Sequence, residues 1–198
     1  MSKKREHGTR GKIIAAAWRL FYDQGYDDTT IEEIVFESGT SKGSFYHYFE
    51  GKEALLGSLA YLFDEKYEQL MAEDDGSMPA IERLLYINRE LFAMIENSVS
   101  MELLARLLSS QLIIRGEKHL LDRNRVYYRY LRQIVQRGQQ SGQLTDRMSA
   151  NEIVRLYALC ERSLMYDWCL RGGDYSLCEY ARLTMPMFLG GIAASDNK

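Results

Sequence analysis

Apolar residues along this chain recur at helical spacing. Ile13, Ala16, Ala17, Leu20 and Phe21 form one face of a first helix, which Thr9 can cap and Gly25 can end. Ile31, Ile34 and Val35 form the face of a short second helix. Thr30 precedes it and Glu33 follows three residues later, the spacing of a capping box. Gly39 suits the left-handed turn that stops that helix, and Ser41 can cap a third, in which Phe45 and Phe49 are four apart and face inward.

The pattern continues to the C-terminus. Gly51 opens a helix through Leu55, Leu56, Leu59, Leu62, Phe63 and Tyr67 toward Met71. Ser77 and Pro79 open another, with Leu84, Leu85, Ile87, Leu91 and Ile95 inside, stopping near Asn97. A segment over residues 101–114, a long helix over 117–140, a helix capped by Ser149 and Glu152, and a last one over 177–191 complete the chain. No stretch alternates as a strand would. The expectation is an all-α protein of about nine helices. An N-terminal arm and helix-turn-helix domain occupies residues 1–52, with the motif at 30–49, and a helical domain occupies 53–198.

Two features stand out in the second half. The helix after Ser149 is apolar on two faces: Ile153, Tyr157, Cys160 and Leu164 on one, Leu156, Leu159, Tyr166 and Leu170 on the other, so both sides need cover. Pro186 interrupts the last apolar pattern. Its ring and missing N–H predict a kink or an end of regular bonding near Met185, with the apolar residues beyond it still packed.

Two short helices joined by a Gly-containing turn have the geometry of a DNA-binding helix-turn-helix. The second offers Lys42, Gly43, Ser44, Tyr46, His47 and Tyr48 around its outer face, a cation, small residues and hydrogen-bonding groups suited to phosphates and base edges. A solvated surface helix of an ordinary bundle fits the same spacing.

Residues 10–56 resemble the N-terminal domain of the TetR family of bacterial transcription regulators. The likeness rests on the Ile13-Ile14-Ala15-Ala16-Ala17 run, Leu20-Phe21, Gly25-Tyr26, Thr29-Thr30-Ile31, Ile34, Gly39, Ser41-Lys42-Gly43-Ser44, Tyr46, Tyr48-Phe49, Lys52-Glu53 and Leu55-Leu56. Thr40 stands where the family generally has Val, and Phe36-Glu37 where Ala or a polar residue is common. The resemblance implies a repressor released from a palindromic double-stranded DNA operator by a small molecule, and a homodimer built from the last two helices. Thr30 and Ser41, at the starts of the motif helices, and Lys52, placed by the resemblance beside the DNA backbone, complete the candidate DNA-contact set. The alternative within the family is a protein that acts through protein partners without an operator.

Charge refines this picture. The chain carries 25 basic and 28 acidic side chains for a net −3, and residues 1–52 carry eight of each. Basic residues cluster at Lys3, Lys4, Arg5, Arg10 and Lys12, so residues 1–8 read as a mobile arm able to reach DNA, with non-specific affinity modest and salt-dependent. The three histidines lack a nucleophile at motif spacing, and there is no Gly-rich phosphate loop or metal-ligand cluster. No catalytic residue, metal or cofactor is therefore expected. Cys160, Cys169 and Cys178 read as reduced thiols. With no signal peptide and no membrane-length apolar run, a cytoplasmic protein is expected.

The effector is not legible in the sequence. Tyr67, Tyr86, Phe92, Met101, Arg106, Tyr127, Tyr130 and Tyr157 are the candidate ligand-binding residues, with Tyr61, Met94 and Trp168 also suited to a pocket and Gln111 and Glu161 as further polar anchors. Their aromatic and thioether character points to an apolar or aromatic ligand.

Overall fold

Capping signals place most of the helices where the sequence predicts them. A computed structural model describes residues 2–113 and 118–194, without the side chains of residues 2–7 and Tyr61. Among these, the regular structure is ten α-helices and one 3₁₀ turn, with no strand. They are α1 (Ser2–Gln24), α2 (Ile31–Glu37), α3 (Lys42–Tyr48), α4 (Lys52–Leu56), α5 (Leu59–Ala72), α6 (Ala80–Ser98), α7 (Met101–Ile113), α8 (Val126–Gln140), α9 (Ala150–Leu170) and α10 (Leu177–Gly190). Both expected capping boxes are formed, Thr30 with Glu33 and Ser149 with Glu152.

Three expectations need correcting. The backbone is helical from Ser2, so residues 2–8 extend α1 and Thr9 lies within it. Lys, Arg and Glu are good helix formers, and Gly8 weakens the run without ending it. The side chains of Lys3, Lys4, Arg5 and His7 lie outside the described residues, as does that of Tyr61.

The helix expected over residues 52–71 is two helices. Ser58 Oγ donates to the Leu55 carbonyl at 2.5 Å and accepts from Trp18 Nε1 at 2.8 Å, taking the carbonyl of the last turn of α4. This division raises the helix total above nine.

The helix expected from residue 117 begins at Val126, after a 3₁₀ turn at His119–Leu121. Its start is set from a distance. Asp64 on α5 accepts both Arg125 Nε and Nη2 at 3.0 Å and the Tyr127 backbone N–H at 3.4 Å, which caps α8 with a side chain 63 residues away.

At Pro186, of the two outcomes expected, the chain does not leave the helix: α10 continues to Gly190. Met185 and Leu189 are fully buried and Ile192 nearly so, and the chain beyond α10 pairs with the α8–α9 loop through Thr145 N–H to the Ile192 carbonyl and Ala194 N–H to the Gln143 carbonyl, both 3.0 Å. Of the apolar residues after the proline, Leu189 and Ile192 are buried and Phe188 is half-buried, while Met187 is exposed.

The chain divides into two compact units. The first comprises Met1–Tyr61 and Glu102–Ile114, the second Leu62–Met101 and Arg115–Lys198. The first unit thus runs nine residues past the expected boundary at 52 and takes in α7. Its core is Ile13, Ala17, Phe21, Ile34, Phe45, Phe49 and Leu55. In the second unit, α6 packs on α8 and α10, and α9 on α8 and α10. No helix of the described residues is long and apolar enough to cross a membrane.

Candidate nucleic-acid interface

The turn of the motif is a complete helix stop. Gly39 has φ +61, its N–H donates to the Phe36 carbonyl at 3.1 Å, and Thr40 N–H donates to the Val35 carbonyl at 3.1 Å. This crossed pair satisfies two carbonyls that a helix end leaves free. Thr40, one of the departures from the family pattern, pairs its hydroxyl with Ser38 Oγ at 2.7 Å. The other departure leaves Phe36 86% exposed on α2, and its neighbour Glu37 pairs with Arg19.

Ser41 then starts α3, its Oγ accepting Ser44 N–H at 3.0 Å. Phe45 and Phe49 are buried beneath the helix, 5.7 Å apart between ring centroids, and each contributes about 1.5–3 kcal/mol. Their burial orients everything else. Ser41, Lys42, Gly43, Tyr46 and His47 are exposed and Ser44 and Tyr48 half-buried, so the α3 residues expected to meet DNA lie around the circumference that Phe45 and Phe49 leave outside the core. Thr30 is exposed at the start of α2.

Two cations of the expected set are engaged. Lys42 Nζ lies 2.5 Å from Glu32 Oε1 on α2, an exposed pair that raises the lysine pKa and lowers that of the glutamate. Lys52 is committed within the domain. Its ammonium donates to the carbonyls of Tyr26 (2.6 Å), Asp27 (3.1 Å) and Thr29 (2.8 Å) and lies 4.5 Å from the Tyr26 ring. All three donors are thereby used. Lys52 ties down the loop that leads into the Thr30 cap, a role the sequence did not indicate. Arg106, expected among the ligand residues, belongs to the first unit: it pairs with Asp27 and Glu102 and sits 4.8 Å over the same Tyr26 ring. Burial pushes the Tyr26 hydroxyl up to about 12.

The other candidate ligand residues lie in the second unit. Tyr67 and Tyr127 meet with ring centroids 4.9 Å apart, and Tyr127 and Tyr157 flank Glu161. Glu161 is 2% exposed, with Tyr127 Oη donating at 2.7 Å and Asn88 Nδ2 at 2.9 Å. Its hydrogen-bond partners are neutral, and burial raises its pKa. The Tyr67 hydroxyl is buried without a hydrogen-bond partner among the described residues. Tyr157 donates to the Leu84 carbonyl at 2.8 Å. Tyr130 is occupied elsewhere, between Arg83 Nε at 2.6 Å and the Leu70 carbonyl at 3.1 Å. Tyr86 lies between Arg83 and Arg89, Phe92 is buried in α6, and Met101 lies beside Gly173. Asn88 and Asp64 were not singled out by the sequence, because a polar residue on an apolar face carries no local sign of its partner. Burial pushes the Cys169 and Cys178 thiols up to about 11, leaving them protonated at neutral pH.

A capped seven-residue helix, set on two buried rings and preceded by a Gly-stopped helix, defines a helix-turn-helix domain. Residues 13–59 match the model of bacterial regulatory proteins, tetR family, and this domain of the chain belongs to that family. The uncharacterized HTH-type transcriptional regulator YuxN of Bacillus subtilis (strain 168) is 36% identical over 95 residues, 46% of this chain and 33% of YuxN. The chain thus matches about a third of that relative's length. A TetR-family regulator from Pectobacterium atrosepticum shares the fold with a TM-score of 0.76 at 17% identity, covering 98% of this chain and 99% of that one. So does the regulator FadR from Bacillus subtilis in complex with stearoyl-CoA, with a TM-score of 0.68 at 20% identity, covering 92% of this chain and 99% of that one.

Proposed function

We propose that this protein is a sequence-specific DNA-binding transcription regulator, a repressor released from its operator by a small molecule. The observation that carries this is α3, where two buried phenylalanines turn Lys42, Gly43, Ser44, Tyr46 and His47 outward on a helix short enough to enter a major groove. Lys42 exchanges Glu32 for a phosphate, while Tyr46 and Ser44 meet base edges or sugar.

One such helix reads few bases, so two copies related by a two-fold axis are needed to bind a palindromic operator. The exposed apolar residues of the last two helices suit that second copy: Leu159 and Leu170 on α9, and Tyr180, Leu183 and Met187 on α10. The effector reading rests on the Glu161 cluster. A buried carboxyl with neutral partners and an unpaired Tyr67 hydroxyl offer polar anchors inside an aromatic core. A ligand with an apolar or aromatic body suits such a core. The stearoyl-CoA held by the FadR protein of the same fold also has a long apolar body.

A gel shift with the DNA upstream of the protein's own gene tests the reading. Saturable binding that is lost in the Lys42→Ala, Tyr46→Phe double variant, with helicity retained, is the expected result. Unchanged operator affinity in that variant removes α3 as the recognition helix.

A further inference from the structure

Eight arginines of the described residues pair with carboxylates: Arg19, Arg83, Arg89, Arg106, Arg125, Arg137, Arg171 and Arg182. Of the arginines outside these pairs, four converge. Arg123, Arg132, Arg155 and Arg162 line one pocket of about 450 Å³ in the second unit, beside the 3₁₀ turn and between α8 and α9. Its remaining lining is neutral, with Tyr128 and Asn151 as the polar members and Leu121, Val154 and Leu159 as the apolar ones.

We propose that this pocket binds a phosphorylated small molecule of nucleotide size, with its phosphates on the arginines and its planar or apolar body against Tyr128 and Val154. Four guanidinium groups around one opening repel each other unless an anion joins them. In a chain of net charge −3, with carboxylates available to pair most other arginines, none lines this pocket among the described residues. The guanidinium fork matches phosphate oxygens two at a time.

Two of the four are pre-set by neutral partners. Arg132 Nε donates to Asn151 Oδ1 at 3.0 Å, and Arg162 Nη1 to Tyr128 Oη at 3.3 Å. Each retains further N–H donors. Arg123 and Arg155 are exposed and make no hydrogen bond or ion pair among the described residues. The volume exceeds what inorganic phosphate fills and falls within the range of small-ligand sites. The site stands whether or not the protein binds DNA.

The test is calorimetric titration of the full-length protein at about 0.15 M salt, where weak surface electrostatics are screened. The probes are ADP, pyrophosphate, adenosine and citrate. The expected result is saturable ADP binding, with pyrophosphate weaker and adenosine at least ~10-fold weaker, since a few lost charge-assisted contacts exceed one decade. Arg123→Gln with Arg155→Gln should weaken ADP at least ~10-fold while circular dichroism and oligomeric state stay unchanged, because neither side chain has a structural partner to lose.

Absence of both ADP and pyrophosphate binding overturns the proposal, including the case in which a second copy covers the pocket at Leu159. Equal ADP affinity in the double variant overturns the assigned residues. Citrate binding as tightly as ADP overturns the assignment of a phosphoryl group. Operator binding is measured separately, so its failure leaves these outcomes readable.

Discussion

Lys42 reaches back ten residues across the motif turn to Glu32, with Nζ 2.5 Å from the carboxylate oxygen. A carboxylate therefore holds the leading cation of the proposed recognition helix in the DNA-free protein. Glu32→Gln releases it and removes one negative charge from the face that approaches phosphate. Operator affinity should rise roughly two- to fivefold at low salt, with the gain shrinking as salt screens it. Fluorescence anisotropy at several salt concentrations checks this, and weaker binding by the variant would contradict it.

Lys52 separates two roles for one side chain. As the tie for the Tyr26, Asp27 and Thr29 carbonyls, its replacement by Met should cost about 1–3 kcal/mol, the range for hydrogen bonds from a charged donor. Urea unfolding reads that loss. The salt dependence of DNA binding should keep its slope, whereas a direct phosphate contact would lower it by about one.

Glu161 makes stability pH-dependent. Burial raises its pKa in the folded state, so the folded protein holds this proton more tightly than the unfolded chain. The associated stability is present below the ordinary carboxylate pKa of 4.5 and is lost as pH rises toward and through the raised value. Glu161→Gln keeps an acceptor for Tyr127 without the charge. It should melt higher than the wild type at pH 7–8 and gain nothing at pH 4. Thermal scans across that range that run parallel for the two proteins would remove Glu161 as the cause.

Gly138 on α8 marks a close approach. A Cβ there would lie 2.6 Å from Ala80 Cβ and 2.8 Å from Leu144 Cδ1. Gly138→Ala should destabilise by about 1–3 kcal/mol despite the better helix propensity of Ala. Adding Ala80→Gly should recover part of the loss in chemical denaturation, because the closest clash is then gone.

The exposed row on α10 tests the dimer. Leu183 is 60% exposed and Met187 80%, so Leu183→Glu with Met187→Glu costs the monomer little. Sedimentation should shift from dimer to monomer with helicity intact. Leu164 on α9 is a poorer probe, since at 8% exposure a charge there would disturb the core itself.

Much of the candidate DNA site was legible because its signals are local. Thr30 with Glu33, Gly39, and Ser41 with Phe45 and Phe49 all act within about one helical turn, and each takes its expected place. The roles of Lys52 and Arg106 were not legible. Lys52 bonds carbonyls 23 to 26 residues away, and Arg106 pairs with Asp27, 79 residues away. Nothing in the neighbouring residues signals such partners. The same holds for the four arginines of the α8–α9 pocket, which are scattered between residues 123 and 162 and look individually like surface residues.

The sequence by itself determined the all-helical class, most helix boundaries, both capping boxes and the face of α3 that points outward. Helical periodicity and capping depend on residues one to four positions apart, so short stretches suffice. Only the tertiary structure decided where α8 begins, that the helix after Lys52 breaks at Ser58, and that α7 joins the first unit. It also decided which charges are paired, which are buried and which converge unpaired. Those outcomes depend on burial and on partners brought together by packing, so a cation is read correctly only when its surroundings are known.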